Sequence, residues 1–147
     1  MREPFRTLNN QTYRECFIVC DEVTRARKGR LIRIYDYPAA VVSCALSWTL
    51  ITDSIFSRSG KVSSLSYRDT PALEQALNVL GSIGTRRYEC TNYIGGCAEP
   101  HAARVVMKEN PTSKVRDLVF SYTYRPRTKT VLRYCRNCTD VFNVQNP

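Results

Sequence analysis

Gly96-Cys97-Ala98-Glu99-Pro100-His101-Ala102 and, later in the chain, Cys135-Arg136-Asn137-Cys138 are the most informative stretches of this sequence. Three thiolates can hold one zinc ion and leave a fourth coordination position for water. A glutamate that is not a ligand can then carry protons between that water and a substrate. The sequence therefore predicts a zinc site at the three cysteines, with Glu99 as the catalytic proton carrier.

The spacing of these residues favours one convergent site. Cys135 and Cys138 are three residues apart, and at a helix N-terminus this spacing brings both sulfurs near one point, where the helix dipole stabilises thiolates. Cys97 also precedes a predicted helix, so the three sulfurs converge if the two helix starts face each other. Glu99 lies in the first turn of that helix and can approach the water without ligating the metal.

Other uses of the same residues stay open. A structural zinc site would need no proton carrier. Its four ligands would come from Cys90, Cys97, His101, Cys135 and Cys138. His101, one turn after Cys97, could be a fourth ligand, a residue that faces the substrate pocket, or an ordinary surface or core histidine. A chain that binds no metal is the remaining alternative.

Hydrophobic periodicity and turn residues predict an α/β fold. Residues 39–50 are typical of a buried strand, and residues 53–62 of the next strand, with a tight turn at Thr52-Asp53. Thr70-Pro71 predicts the capped start of a helix that ends at Gly81. The later predicted elements are a loop over 84–96, a helix over 98–109, a strand over 118–124, a further candidate strand over 130–132 and a helix over 135–142. We therefore expect a three-layer α/β/α domain with a central mixed sheet.

The first part of the chain differs from the rest in composition. Residues 1–34 are polar and basic, and include a candidate helix over 11–27. We predict that they form a basic N-terminal extension, followed by one zinc-binding domain over 35–147. Residues 1–10 lack the apolar stretch of a signal peptide. No apolar run approaches the roughly 20 residues that span a bilayer, so we expect no membrane association.

Positive charge is clustered next to the second cysteine motif. The formal net charge is +9, and residues 121–136 carry five cations and no acid. Cations contact phosphates, and the tyrosines interleaved with them, including Tyr134, can stack on unpaired bases. Arg125, Arg127 and Lys129 fall on a predicted hairpin tip, where packing does not explain them. The sequence therefore favours a nucleic-acid partner, and the alternative is that the cations form a solvated face and the tyrosines pack on a helix.

Five stretches together carry a family resemblance. They are Pro38-Ala39-Ala40-Val41-Val42, Ser59-Gly60-Lys61, Thr70-Pro71-Ala72-Leu73 and the two cysteine motifs, of which only the last two are specific. With them, residues 39–144 resemble the bacterial toxin branch of the cytidine-deaminase-like superfamily. The chain departs from the family at Tyr134, where the family usually has a proline that shapes the substrate pocket. It also has a long link over 124–134, which is compatible with an additional hairpin.

The resemblance implies a deaminase-like domain that converts cytosine to uracil with Zn²⁺. In this superfamily the metal ligands match Cys97, Cys135 and Cys138, and the proton shuttle matches Glu99. We expect Glu99 to pass a proton from the activated water to ring N3 and later to help protonate the leaving amine, as hydroxide attacks C4. The backbone at Ala98 would hold the carbonyl oxygen of the base. The candidate substrate-binding residues are Ala98, His101, Tyr134, Arg125, Arg127 and Lys129.

The resemblance also implies a biological setting. Such domains often lie at the C-terminus of polymorphic toxins, and several deaminate cytosine in DNA or RNA. We expect a monomer that acts on a polynucleotide, with DNA favoured over RNA, in the cytoplasm of a target cell. Secretion within a larger toxin and a cognate immunity protein are implied in the same way. The alternatives are an inactive zinc-binding nucleic-acid module, an inactive deaminase-fold interaction protein, and a deaminase of RNA or of adenine.

Overall fold

A computed structural model describes residues 3–48, 54–88 and 90–147. These residues form four α-helices and five strands, with short 3₁₀ helices at Ile34–Asp36 and Val115–Asp117. In chain order the elements are α1 (Glu3–Arg27), β1 (Val41–Leu46), β2 (Ile55–Arg58), α2 (Pro71–Asn78), α3 (Ala98–Glu109), β3 (Leu118–Phe120), β4 (Thr123–Arg125), β5 (Thr130–Leu132) and α4 (Arg136–Val141).

Strand β1 lies at the centre of the fold, and all six of its residues are buried. On one face Val42 and Cys44 join a core that includes residues of α2, α3 and α4. On the other face Val41 packs against Cys16 of α1. Two covered faces explain why this segment is almost wholly apolar. The fold is therefore α/β, with helices on both sides of the sheet.

The sheet is antiparallel, so the prediction of a mixed sheet is wrong. Its strand order is β2-β1-β4-β5, and β3 also pairs with β1. Every pairing among the described strands is antiparallel. A parallel neighbour of β1 would require a crossover that returns the chain to the Val41 end of the strand. The chain instead enters β3 beside Leu46, at the opposite end, because Leu46 pairs with Leu118.

A β-bulge interrupts the strand that the sequence predicts over 118–124. Cys44 pairs with Phe120 and Val41 pairs with Tyr124, so three steps along β1 correspond to four steps along its partner. The extra residue lies at 121–122, between β3 and β4, and it reverses the side-chain alternation that follows. Phe120 faces the α3 side of the sheet, whereas Tyr124 faces the α1 side.

Hydrogen bonds from three parts of the chain satisfy the polar groups of the bulge. The backbone N–H of Tyr122 donates to Asn9 Oδ1 of α1 at 2.7 Å. The Tyr134 hydroxyl donates to the Ser121 carbonyl at 2.6 Å. The Ser121 hydroxyl accepts a bond from the backbone N–H of Ser43 at 3.0 Å. Because buried backbone groups need partners, these contacts hold the bulge in place.

Helix α1 is longer than the predicted helix over 11–27 and packs against the sheet. Leu8, Thr12, Cys16 and Val19 form its buried stripe, at the three- and four-residue spacing of one helical face. The boundary that the sequence places at residue 34 stays a prediction. What the structure adds is that a helix on the N-terminal side of this boundary covers one face of β1.

The helices on the other face largely follow the prediction. Helix α2 begins at Pro71, but the Thr70 hydroxyl bonds to the Tyr67 carbonyl instead of capping it, and the helix ends at Asn78, before Gly81. Helix α3 has the predicted bounds, and α4 lies within the predicted range. Strand β1 ends at Leu46, whereas the predicted strand covers residues 39–50.

The strand predicted over 53–62 is also shorter, since β2 covers only Ile55–Arg58. The turn predicted at Thr52-Asp53 lies outside the described residues. β4 and β5 form a hairpin in the long link over 124–134. Within the described part of the chain, no helix is long and apolar enough to cross a membrane.

The Thr12 hydroxyl connects α1 to the bulge, and its removal is expected to destabilise the protein. Thr12 Oγ1 lies 2.7 Å from Ser43 Oγ and 2.8 Å from Ser121 Oγ, all buried. Thr12→Val should lower the free energy of unfolding by about 1–3 kcal/mol, because it removes one buried hydrogen-bonding contact from each of the Ser43 and Ser121 hydroxyls. Urea denaturation followed by circular dichroism measures this change.

Thr24→Val is the matched control. Thr12 Oγ1 also bonds to the Leu8 carbonyl, one turn earlier in α1, at 2.8 Å. Thr24 makes the same kind of bond to the Cys20 carbonyl at 3.0 Å, but Thr24 is exposed. Its substitution should change the free energy of unfolding by less than about 0.5 kcal/mol. Equal effects of the two substitutions would show that the Thr12 hydroxyl does not stabilise the contact between helix and sheet.

Candidate metal centre

Two helix starts meet and bring three cysteines together. Cys97 is the residue before α3, and Cys135 is the residue before α4, with extended backbone at both positions. The Sγ atoms of Cys97 and Cys135 are 3.0 Å apart, and those of Cys135 and Cys138 are 3.5 Å apart. All three sulfurs lie within 4.8 Å of one another. The convergence that the sequence predicts for these residues is thus present.

The sulfur positions fit a metal ion. Thiolate sulfurs bind zinc at about 2.3 Å, which places tetrahedral ligands about 3.8 Å from each other. The observed separations of 3.0 Å and 3.5 Å require only a small expansion of the cluster. Cys138 is buried, and Cys97 and Cys135 are partly exposed. The three cysteines could therefore hold a metal ion with one side of it accessible.

The protonation of the three thiols is coupled. Hydrogen bonds from Cys138 and Cys97 lower the pKa of the Cys135 thiol, because they stabilise its thiolate. The hydrogen bond between Cys97 and Cys135 raises the pKa of Cys97, and the separate bond between Cys138 and Cys135 raises the pKa of Cys138. A bound divalent cation would favour three thiolates.

Cys90 and His101, the other candidate ligands, lie outside this group. Among the described residues, the cluster of potential metal-binding atoms contains Cys97, Cys135 and Cys138 alone. The His101 Nε2 atom instead faces the Gly60 carbonyl at 3.4 Å, and burial lowers the pKa of the imidazole. The geometry brings together three protein ligands, which is the number typical of catalytic zinc sites.

The Glu99 carboxylate lies directly beside the sulfurs. Its side chain is 2% exposed. Thr123 Oγ1 donates a hydrogen bond to Glu99 Oε1, and Cys138 Sγ lies 3.1 Å from Oε2. Burial raises the pKa of Glu99, because desolvation disfavours the carboxylate more than its hydrogen bonds favour it.

A cleft of about 410 Å³ opens above these groups. Its lining includes Cys97, Ala98, Glu99 and Cys135. Its volume falls within the range of small-molecule sites in proteins, about 300–1,000 Å³. The walls come from the Ala39-Ala40 segment, the Ser59-Gly60 segment, the loop at 91–96 and the β4–β5 hairpin.

The predicted substrate-binding residues fall into two groups. Ala98 and Arg125 line the cleft, whereas Arg127, Lys129, Tyr134 and His101 are not among its lining residues. The Lys129 ammonium lies over the Phe17 ring of α1, 4.9 Å from its centroid.

Tyr134 is buried and holds the bulge through the Ser121 carbonyl. The role of these residues in substrate binding stays a prediction. For Lys129 and Tyr134 the structure also gives contacts within the protein.

Several residues of the site escape sequence reasoning. Thr123 contacts Glu99 only because the bulge turns it toward α3, so no local pattern reveals it. Arg133 lines the cleft and belongs to the basic cluster, and its place in that cluster was an available signal. Asn137 lies between Cys135 and Cys138 and donates to the Asn92 carbonyl at 3.1 Å. The place of Asn137 inside the Cys135–Cys138 motif is the sequence feature that could have pointed to a role at the site.

Comparisons with known proteins leave the site to be interpreted on its own geometry. No protein-family model matches the chain, and neither the curated proteins nor the solved structures contain a match to it. The deaminase resemblance therefore rests on the sequence motifs alone.

Purified protein should contain one metal ion per chain, and we expect zinc. Cys97→Ser, Cys135→Ser and Cys138→Ser should each reduce metal content and lower the melting temperature, because metal binding contributes to folding free energy. Cys90→Ser is the control and should retain metal, since Cys90 lies outside the cluster. Elemental analysis with thermal denaturation tests this. Loss of metal on Cys90→Ser would instead indicate a four-ligand structural site.

Proposed function

We propose that this protein is a zinc-dependent cytosine deaminase that converts cytosine to uracil in a polynucleotide. The observation that supports the proposal most strongly is the arrangement of the cleft lining. Three sulfurs able to hold a metal ion lie beside the buried Glu99 carboxylate, which is 3.1 Å from Cys138 Sγ. Cys97, Cys135 and Glu99 also face the same cleft. A metal site that served only folding would need neither this carboxylate nor this opening.

Zinc is the metal that three thiolates favour, and Cys97, Cys135 and Cys138 would hold it. When bound, it would supply the Lewis acidity that lowers the pKa of a water molecule towards about 7. The remaining chemistry belongs to side chains and backbone groups of the chain itself.

Glu99 would move the proton that the reaction requires. It accepts a proton from the attacking water and passes it to ring N3 of cytosine, and it then helps to protonate the amine. A C–O bond forms at C4, the C4–N bond breaks with its electron pair on nitrogen, and ammonia leaves. The bond from Thr123 fixes one carboxylate oxygen, while the other lies on the side of the sulfurs. This orientation favours proton transfer through Oε2, the carboxylate oxygen on the side of the sulfurs.

The start of α3 would hold the base. Ala98 is the first residue of the helix, where backbone N–H groups lack partners within the helix and the helix dipole is positive. A carbonyl oxygen of a pyrimidine is a suitable acceptor for such a group. Because Ala98 lies between Cys97 and Glu99, the same turn would position metal, base and proton carrier.

The polynucleotide part of the proposal depends on the cations around the cleft. Arg125 and Arg133 are exposed and line it. Phosphate groups bind such side chains through charge, whereas a free nucleoside offers no phosphate. The preference for DNA, the monomeric state, the toxin setting with cytoplasmic action, and an immunity protein rest on the family resemblance alone.

Glu99→Gln should abolish deamination while metal content is preserved. The amide has the shape of the carboxylate but cannot carry the proton, so turnover should fall by at least about 100-fold. Glu109→Gln, at the exposed far end of the same helix, is the control and should retain activity. Uracil formation in single-stranded and duplex DNA and RNA, read by sequencing, provides the measurement.

Two outcomes would contradict this assignment. Near-normal turnover of Glu99→Gln would show that another group carries the proton. Loss of metal from the same variant would show that Glu99 helps to bind the ion. A parent protein that binds nucleic acid but forms no uracil in it and releases no ammonia would instead support the inactive zinc-binding module.

The salt dependence of nucleic-acid binding should identify the cations that contact phosphate. Arg125→Ala and Arg133→Ala should each flatten the plot of log affinity against log salt concentration by about 0.7 for a single strand, the value for one phosphate contact. Arg127→Ala should have a smaller effect, since Arg127 does not line the cleft. Fluorescence anisotropy with a labelled oligonucleotide measures these slopes. Identical slopes for all three variants and the parent would mean that the cations form only a solvated face.

A further inference from the structure

A second cavity, of about 570 Å³, adjoins the cleft above the metal centre. The two share Ser59, Gly60, Tyr93 and Gly96 in their linings. The cavities are therefore neighbours along one surface, and Tyr93 lies at the boundary between them. A free base or nucleoside would require only the first cavity.

The Tyr93 ring is both exposed and held in position. Its side chain is 49% exposed. The Arg86 guanidinium lies over the ring, 4.6 Å from its centroid, and an isolated antiparallel bridge links the backbones of the two residues. The Tyr93 carbonyl also accepts a bond from the Gly96 N–H at 3.0 Å, which ties the tyrosine to the residue before Cys97. A pre-positioned, half-exposed aromatic ring is suited to stacking on a planar group.

The rest of the second cavity suits a nucleotide. Lys61 is exposed and is the charged residue among those that line it, so it can contact a phosphate. Gly60, Gly84 and Gly96 contribute parts of the wall that carry no side chain. Gly84 has a φ of +90°, a conformation that residues with a Cβ rarely adopt. The cavity thus combines an aromatic ring, a cation and a flat glycine wall.

We propose that this second cavity binds the nucleotide adjacent to the target cytosine. In this arrangement Tyr93 stacks on the neighbouring base and Lys61 contacts its phosphate. Arg86 covers one face of the Tyr93 ring, so the base uses the other face. This assignment rests on the proposed function, since it takes the cleft over Glu99 as the position of the target base.

The same geometry favours a single-stranded substrate. A base that stacks on a tyrosine must be free of its own stacking partner on that side, which is the normal condition in an unpaired strand. In a duplex both the target and its neighbour would have to leave the helix, at a cost of a few kcal/mol for each unstacked base. The protein should therefore bind single strands more tightly than duplexes of the same sequence.

Stacking can be measured with 2-aminopurine, a fluorescent base that is quenched when it stacks. Oligonucleotides with one cytosine would carry 2-aminopurine on its 5′ or its 3′ side. They would be bound to zinc-loaded protein in a Glu99→Gln background, which keeps the cytosine unreacted. One of the two probes should be quenched. Tyr93→Leu should remove the quenching and weaken binding at least about 5-fold, the lower limit for base stacking on an aromatic residue.

Matched variants distinguish stacking from a general loss of structure. Tyr93→Phe should restore quenching, because stacking does not need the hydroxyl. Tyr88→Leu, at a fully exposed tyrosine of the same loop that lines neither cavity, should behave as the parent. Lys61→Ala should weaken binding and flatten the salt dependence, and Lys61→Arg should restore both. Lys114→Ala, at an exposed lysine outside both cavities, is its control.

Three results would overturn the inference. They are unchanged quenching and affinity in Tyr93→Leu, equal effects of Tyr93→Leu and Tyr88→Leu, and a duplex bound and quenched as strongly as the single strand. The proposed function is tested separately, because quenching does not depend on chemistry. A parent protein that forms no uracil but shows Tyr93-dependent quenching would refute the deaminase and retain the nucleotide site. Uracil formation without Tyr93-dependent binding would support the deaminase and refute the nucleotide site.

Discussion

The extra residue in the strand beside β1 places Thr123 next to Glu99. With regular alternation, Thr123 would share the face of β1 that α1 covers. The bulge at 121–122 turns it to the other face, where its hydroxyl donates to Glu99 Oε1. A buried carboxylate without hydrogen-bond donors is costly, so the Thr123 hydroxyl that this register supplies offsets part of the cost of burying Glu99. The bulge in turn depends on Asn9 and Tyr134, from elements far apart in the sequence.

The same burial creates an electrostatic constraint that the protein alone satisfies only in part. Glu99 and the three cysteines lie close together, and all of them are acids. Hydrogen bonds among the sulfurs lower the pKa of Cys135 and raise those of Cys97 and Cys138. A cation at the centre would remove the repulsion between thiolates. Folding of the two helix starts and metal binding are therefore expected to be coupled.

Short-range sequence patterns correctly predict the helix starts at the site and the buried central strand. Pro100 in a first turn, the spacing of Cys135 and Cys138, and the apolar run over 39–50 correctly indicate the starts of α3 and α4 and the buried strand β1. Contacts between distant segments determine the rest. The bulge, the antiparallel sheet and the packing of α1 depend on pairs such as Thr12 with Ser121, which no periodicity reveals. The deaminase activity stays a prediction.

The loop that carries Tyr93 and the helix that carries two of the cysteines support each other. Arg87, in the loop before Tyr93, forms an ion pair with Asp140 of α4 at 2.7 Å. Asn137 of α4 donates to the Asn92 carbonyl at 3.1 Å. One wall of the cleft is therefore attached to the short helix whose start supplies two of the three clustered cysteines. Because a helix of six residues has little intrinsic stability, its position depends on these contacts and on its cysteines. The shape of the cleft and the integrity of the metal centre are consequently parts of one structural unit.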